Sequence, residues 1–163
     1  MRHPICPECG KEYVKRVSRC GLKERFLSVF YIYPFRCQLC GHRFGFLQWG
    51  VRYIKVAEDQ RNYERLPAKF SVTFTGDHID GTGTAVDISM SGCTLHTDAQ
   101  LPEDAIVKMK LQLPQDALAV TVNAAVVRNV VRNRVGVEFL RTDKGDRERL
   151  QLFVRGLLLA RSA

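Results

Sequence analysis

Val107, Met109, Leu111 and Leu113 alternate with Lys108, Lys110 and Gln112, the period-two pattern of a strand with one buried face. Val135, Val137 and Phe139 repeat it. Around these runs lie further short apolar segments, "KFSVTF", "GTGTAVDIS", "GCTLHT", "AIVKMKLQL", "ALAVTVNAAVVRNV" and "RVGVEFL", separated by glycines and turn residues such as "LPQD". Six short strands punctuated in this way predict a mainly β domain, a small six-stranded antiparallel barrel. The period then changes. In "DKGDRERLQLFVRGLLLAR" the residues Leu150, Phe153, Val154, Leu157 and Leu158 share one face of a 3.6-residue repeat, which predicts a C-terminal helix packed through that face. Thr142 or Asp143 stands where its N-terminal cap belongs.

The first third of the chain reads differently. Its longest apolar stretch, "FLSVFYIYPF", is ten residues long, contains Ser28 and runs into Arg36, whereas a bilayer-spanning helix needs about 20 apolar residues. The opening "MRHPICPECG" lacks the apolar core and small-residue cleavage site of a secretory signal. The expectation is a cytoplasmic protein with no transmembrane segment. "VRYIKVAED" passes from a strand-like run to a polar joint, which places a boundary near Val56 to Asp59 and predicts a module over 1–56 and a barrel domain over 57–163. A chain of 163 residues accommodates one ordinary domain and one small module. The formal charge of +8 belongs entirely to the module: Met1 to Val56 holds 11 Lys/Arg against 3 acids, and the remainder is balanced at 14 against 14. Such a basic unit suits phosphates, an anionic membrane or an acidic protein, and equally a solvated surface.

Four of the six cysteines form two pairs, Cys6-Pro-Glu-Cys9-Gly10 and Cys37-Gln-Leu-Cys40-Gly41, with 27 residues between them. At Cys-x-x-Cys spacing a tight turn aims both sulfurs at one metal, and a glycine after the second cysteine suits the left-handed residue closing such a knuckle. Two disulfides or a redox pair are the alternatives; a reducing compartment argues against the first and duplication of the motif against the second. The reading is a zinc ribbon in which Cys6, Cys9, Cys37 and Cys40 hold a structural zinc with no open position. Metal-binding energy would then help to fold a unit too small for a sufficient core. His3 and His42 lie near the knuckles as substitute ligands that four cysteines make unnecessary. Cys20 and Cys93 are expected to be buried small side chains. Phe26, Phe30, Tyr31, Tyr33, Phe35, Phe44, Phe46 and Trp49 are expected to cover the ribbon or pack it on a neighbour.

Two motifs remain. "RNYER" places Arg61 and Arg65 four residues apart on the segment leading into the barrel, and "DISMSG" (Asp87 to Gly92) interrupts two strands with acid, hydroxyl, hydroxyl and glycine. Taken singly, an arginine pair is most often a solvated helix face and such a hexapeptide an ordinary turn. Their ordered combination, Arg-x-x-x-Arg, then Asp-x-Ser-x-x-Gly, then Gly136-Val137-Glu138-Phe139 and a terminal helix, resembles the PilZ domain family over roughly Asp59 to Ala163.

The resemblance implies binding of the bacterial second messenger cyclic di-GMP, without chemistry on it, by Arg61, Arg65, Asp87, Ser89 and Gly92, with residues 59–66 as the ligand-binding segment entering the barrel. These residue types suit that ligand. A guanidinium fork donates to guanine O6 and N7 or to phosphate oxygens, or stacks on a base. Asp87 would accept from guanine N1-H and N2-H, Ser89 add a hydroxyl, and Gly92 let backbone approach the base. Gln60 leaves the ligand's stoichiometry open, and for Arg128, Arg132 and Arg134 on a later hairpin a place in the pocket and a surface role are equal readings. The competing reading is a nucleic-acid-binding regulator whose basic ribbon contacts phosphates beside a degenerate barrel. Against it, "KEYVKRVSRCGLKERF" shows no base-reading helix. An enzyme is not expected: no His-paired Ser or Cys, open metal site or carboxylate dyad can be named, and His78 and His96 stand alone. An unidentified protein partner for the ribbon completes the expectation.

Overall fold

The computed structural model describes residues 3–51, 63–114 and 118–162. It divides into two compact units, Met1–Glu64 and Arg65–Ala163. The joint expected at Val56 to Asp59 lies outside the described residues. Among the described residues no helix is long and apolar enough to cross a membrane.

In the first unit the strands β1 (Val14–Arg16), β2 (Ile32–Cys37) and β3 (Arg43–Leu47) form an antiparallel sheet in that order, with helix α1 (Gly21–Val29) between β1 and β2. Its core is small. Tyr33, Pro34 and Phe35 of β2 are buried. The Tyr33 hydroxyl donates to the Val51 carbonyl at 2.6 Å, and Arg16 lies over the Tyr33 ring, 4.8 Å from its centre. Phe35 meets Phe44 and Phe46 of the neighbouring strand at centroid distances of 6.1 and 6.0 Å.

A helix not read from the sequence appears here, and two expectations change. The segment after Ser18 is helical: Gly21 opens α1 at a φ of +77°, and Glu24 accepts the backbone N–H of Cys20 at 2.5 Å, filling one of the donors a helix start leaves unpaired. Cys20 is exposed, not buried, because it stands ahead of a helix that buries none of its residues. Of the aromatic residues, Tyr33 and Phe35 enter the core, whereas Phe26, Phe30 and Trp49 are exposed.

The second unit is a closed antiparallel barrel of six strands, β4 (Leu66–Gly76), β5 (Ile79–Ser89), β6 (Gly92–His96), β7 (Ile106–Gln112), β8 (Val120–Val131) and β9 (Arg134–Thr142), in the order β4-β5-β6-β9-β8-β7. Closure removes free sheet edges. Alternation holds where it was read: Val107, Met109 and Leu111 face inward while Lys108, Lys110 and Gln112 face out. Helix α2 (Lys144–Ser162) follows, with Leu150, Phe153, Val154 and Leu158 buried. Phe153 meets Phe70 of β4 edge to face at 5.9 Å. Asp143 precedes the helix and its carbonyl accepts the Arg147 N–H. Asp146 in the first turn accepts from Thr121 of β8 at 3.1 Å, tying α2 to the barrel.

Candidate functional site

The tight hairpin joining β5 to β6 puts "DISMSG" in its setting. Ser89 pairs with Gly92 across the turn and Asp87 pairs with Thr94, so two polar side chains two residues from the turn stand on neighbouring strands. Arg65 immediately precedes β4, which pairs with β5 through Pro67 and Asp87. Its Nη1 therefore reaches both side chains: it donates to Asp87 Oδ1 at 3.1 Å and to Thr94 Oγ1. The same Asp87 oxygen accepts the Thr94 backbone N–H at 3.0 Å. The ion pair is part-exposed, placing a guanidinium and a carboxylate side by side on the barrel surface, fixed by three adjacent strands. Buried Cys93 lies between Gly92 and Thr94 on β6; burial pushes its thiol up to about 12, with a smaller lowering by Arg65 and a smaller raising by Asp87.

Ser89 and Gly92 serve the hairpin itself. Ser89 is 2% exposed; its hydroxyl donates to the Gly92 carbonyl at 3.2 Å and accepts the Ser91 N–H at 3.3 Å. A Cβ on Gly92 would lie 2.1 Å from the Val137 carbonyl oxygen, so only glycine lets β6 approach β9 here. Arg61 lies outside the described residues. Thr94 was not singled out in the sequence, where a lone threonine in a strand is unremarkable; its place opposite Asp87 becomes legible once the hairpin register is known.

Arg128 is held by Glu138 at 2.7 Å and Asp104 at 3.6 Å. Arg132, at a φ of +55° in the β8–β9 turn, lines a groove of about 640 Å³ with Thr97, Leu101 and Asn133. That groove does not include Arg65 or Asp87.

In the first unit the two knuckles are built alike. Gly10 and Gly41 have φ of +66° and +80° and donate backbone N–H bonds to the carbonyls of Cys6 and Cys37. The Cys6 and Cys37 N–H groups are in turn bonded to the carbonyls of Lys11 and His42. All four sulfurs lie within 4.8 Å of one another, with Cys6–Cys40 at 3.5 Å and Cys9–Cys37 at 3.6 Å. A zinc–sulfur bond of about 2.3 Å gives a tetrahedral S···S edge of roughly 3.8 Å, so the donor set fits a single tetrahedral ion; a disulfide requires about 2.05 Å. The cluster consists of four cysteines, with neither His3 nor His42 in it. Burial disfavours the Cys6 thiolate, but hydrogen bonds from the Cys9 and Glu8 amides and from the Cys40 and Cys9 thiols together outweigh it and lower its pKa. Burial is the largest cause raising Cys9 and Cys40; Cys37 and Cys6 add to both, whereas Cys40 lowers Cys9. Four thiolates packed this closely need a cation to be charged together.

The PilZ domain profile matches residues 59–156, more than half of the chain. Among solved structures, the inhibitor of motility (MotI/DgrA) of Bacillus subtilis is similar at a TM-score of 0.55 and 14% identity, covering 79% of this chain and 68% of that one. The PilZ domain of CeSA from a cellulose-synthesizing bacterium has a TM-score of 0.47 and 20% identity, covering 58% and 98%. The PilZ domain of Escherichia coli YcgR, solved with c-di-GMP, has a TM-score of 0.49 and 16% identity, covering 63% and 94%. No curated protein sequence matches significantly.

Proposed function

The chain belongs to the PilZ domain family, and from that premise we propose that it is a cytoplasmic receptor for cyclic di-GMP that binds the nucleotide without transforming it and passes the signal to a partner of its zinc ribbon. The observation that carries this reading is the Arg65–Asp87 ion pair, held on the barrel surface by three strands. Side by side, a guanidinium and a carboxylate match a guanine, whose Hoogsteen edge accepts and whose N1-H and N2-H donate. Arg61 would add a second fork from the segment before the barrel. Thr94 supports the pair by holding both partners. Ser89 and Gly92 contribute by fixing the hairpin. Cys6, Cys9, Cys37 and Cys40 would hold a structural zinc, whose role is to stabilise the ribbon.

Coupling follows from chain order. Arg61 and Arg65 lie where the first unit gives way to the second, so a nucleotide engaging both also engages the connecting segment. Hydrogen exchange should show residues 59–66 protected by cyclic di-GMP and not by GMP; unchanged exchange with saturating ligand would leave the ribbon uncoupled.

Calorimetric titration of the purified protein with cyclic di-GMP, with GMP as control, tests the receptor. Hydrogen bonds to charged groups contribute about 1.5 to 3 kcal/mol each, so Arg61→Ala, Arg65→Ala and Asp87→Ala should each weaken binding roughly 10- to 150-fold while the fold persists. No heat with the wild type, or unchanged affinity in all three variants, would overturn the proposal. Binding of duplex DNA instead would favour the nucleic-acid reading.

A further inference from the structure

Helix α1 is amphipathic in the wrong sense for a helix serving only its own unit. Its sole acid, Glu24, accepts from Arg43 of β3 at 2.9 and 2.7 Å. Ser28 accepts from Arg19 at 2.8 Å and donates to the Arg25 carbonyl at 2.7 Å. The polar side is thus tied into the unit. Leu22, Phe26 and Val29, at the i, i+4, i+7 spacing of one face, are 82%, 66% and 71% exposed, and Phe30 at the C-cap is 55% exposed. The patch continues beyond the helix. Phe26 and Phe30 meet edge to face at 5.4 Å; Tyr31 follows and packs on Trp49 at 5.0 Å, and Trp49 is 78% exposed.

The charges around this patch select its partner. With Glu24 paired to Arg43, the other charged side chains of α1 are Lys23 and Arg25, both exposed. They belong to a segment with 11 Lys/Arg against 3 acids up to Val56. A second copy would bring this excess against itself. The patch is the outer side of a helix and the tip of a turn, which offers a peptide no groove to enter. Phe, Leu and Trp rimmed by Lys and Arg are the composition of an interfacial anchor.

We propose that this face seats the protein on the surface of an anionic lipid bilayer, with Leu22, Phe26, Val29, Phe30 and Trp49 entering the headgroup boundary and Lys23 and Arg25 meeting lipid phosphates. The anchor lies on the bilayer and does not span it. It is independent of the nucleotide site, so its failure leaves the cyclic di-GMP reading standing.

Trp49 is the chain's single tryptophan and reports directly. The zinc-loaded full chain is mixed with vesicles of phosphatidylcholine alone or with roughly one-third phosphatidylglycerol. Flotation should show binding to the anionic vesicles alone, with a blue shift of Trp49 emission and quenching by brominated acyl chains. Phe26→Ser with Val29→Ser, and separately Lys23→Glu with Arg25→Glu, should each reduce binding at least about tenfold. Zinc content and circular dichroism check the fold of these variants; should either lose zinc, acyl-chain quenching of wild-type Trp49 decides alone. No binding to anionic vesicles at low salt overturns the proposal. Binding with unshifted Trp49 emission overturns it in favour of electrostatic adsorption. Self-association lost in Phe26→Ser/Val29→Ser without vesicle binding assigns the patch to a second copy, and a Trp49 shift with polyglutamate but not vesicles assigns it to an acidic protein.

Discussion

Cys93, next to Thr94 on β6, is completely buried. Desolvation raises its pKa from 9.0 to about 12, because a thiolate there would lose its water without gaining a partner that outweighs the loss. The folded state therefore keeps a proton that the unfolded chain releases above pH 9. That contribution to stability is fully present below the unfolded pKa and is lost as pH rises from about 9 through about 12. A shift of this size corresponds to at most about 4 kcal/mol. Denaturant unfolding at a series of pH values should show a steeper alkaline decline for the wild type than for Cys93→Ala, whose curve lacks this component. Parallel curves between pH 9 and 11 would show that Cys93 does not hold its proton. A thiol so held should also resist alkylation in the native protein at pH 8, unlike exposed Cys20.

At the scale of elements, the β5–β6 hairpin shows how local chemistry and tertiary contact divide the work. Ser89 satisfies the turn through its own neighbours, whereas Gly92 answers to a different strand, the Val137 carbonyl of β9. Gly92→Ala must push β6 from β9; with overpacking costs of typically 1–3 kcal/mol, the barrel should melt about 5–20 °C lower even in the absence of any nucleotide. An unchanged melting temperature in scanning calorimetry would show that the contact relaxes freely. The barrel was readable in the sequence because β7 and β9 alternate with period two and turn residues separate the other apolar runs, and the knuckles because spacing and glycine together specify a turn. Helix α1 was not readable for a corresponding reason. Its apolar residues face out and its acid faces in, so the usual inference from apolarity to core fails for Phe26 and Phe30, and Cys20 ahead of the helix shares their exposure. Thr94 escaped because its importance comes from cross-strand register with Asp87, which no short motif contains.

The whole molecule consists of two units whose stability should come from different sources. The barrel buries Leu66, Val72, Phe74, Met109, Leu111 and Val137 in a continuous apolar core and needs no metal to exclude water. Among the described residues the first unit has three strands, one helix without a buried residue, and few large core side chains, so a metal bound at its four cysteines, as proposed above, would supply folding energy. Removing the metal with a strong chelator should therefore unfold the first unit and leave the barrel standing. Thiol counting makes this testable in one sample. With metal in place, an impermeant thiol reagent should find about one fast-reacting cysteine, Cys20, the exposed member of the six. After chelation Cys6, Cys9, Cys37 and Cys40 should join it, giving about five. The last, Cys93, should appear only when denaturant opens the barrel. All six thiols appearing together on chelation would show that the units fold as one. A count that does not change on chelation would remove the metal from the proposal and leave the sheet to stand on a core of Val17, Tyr33, Pro34, Phe35 and Leu39.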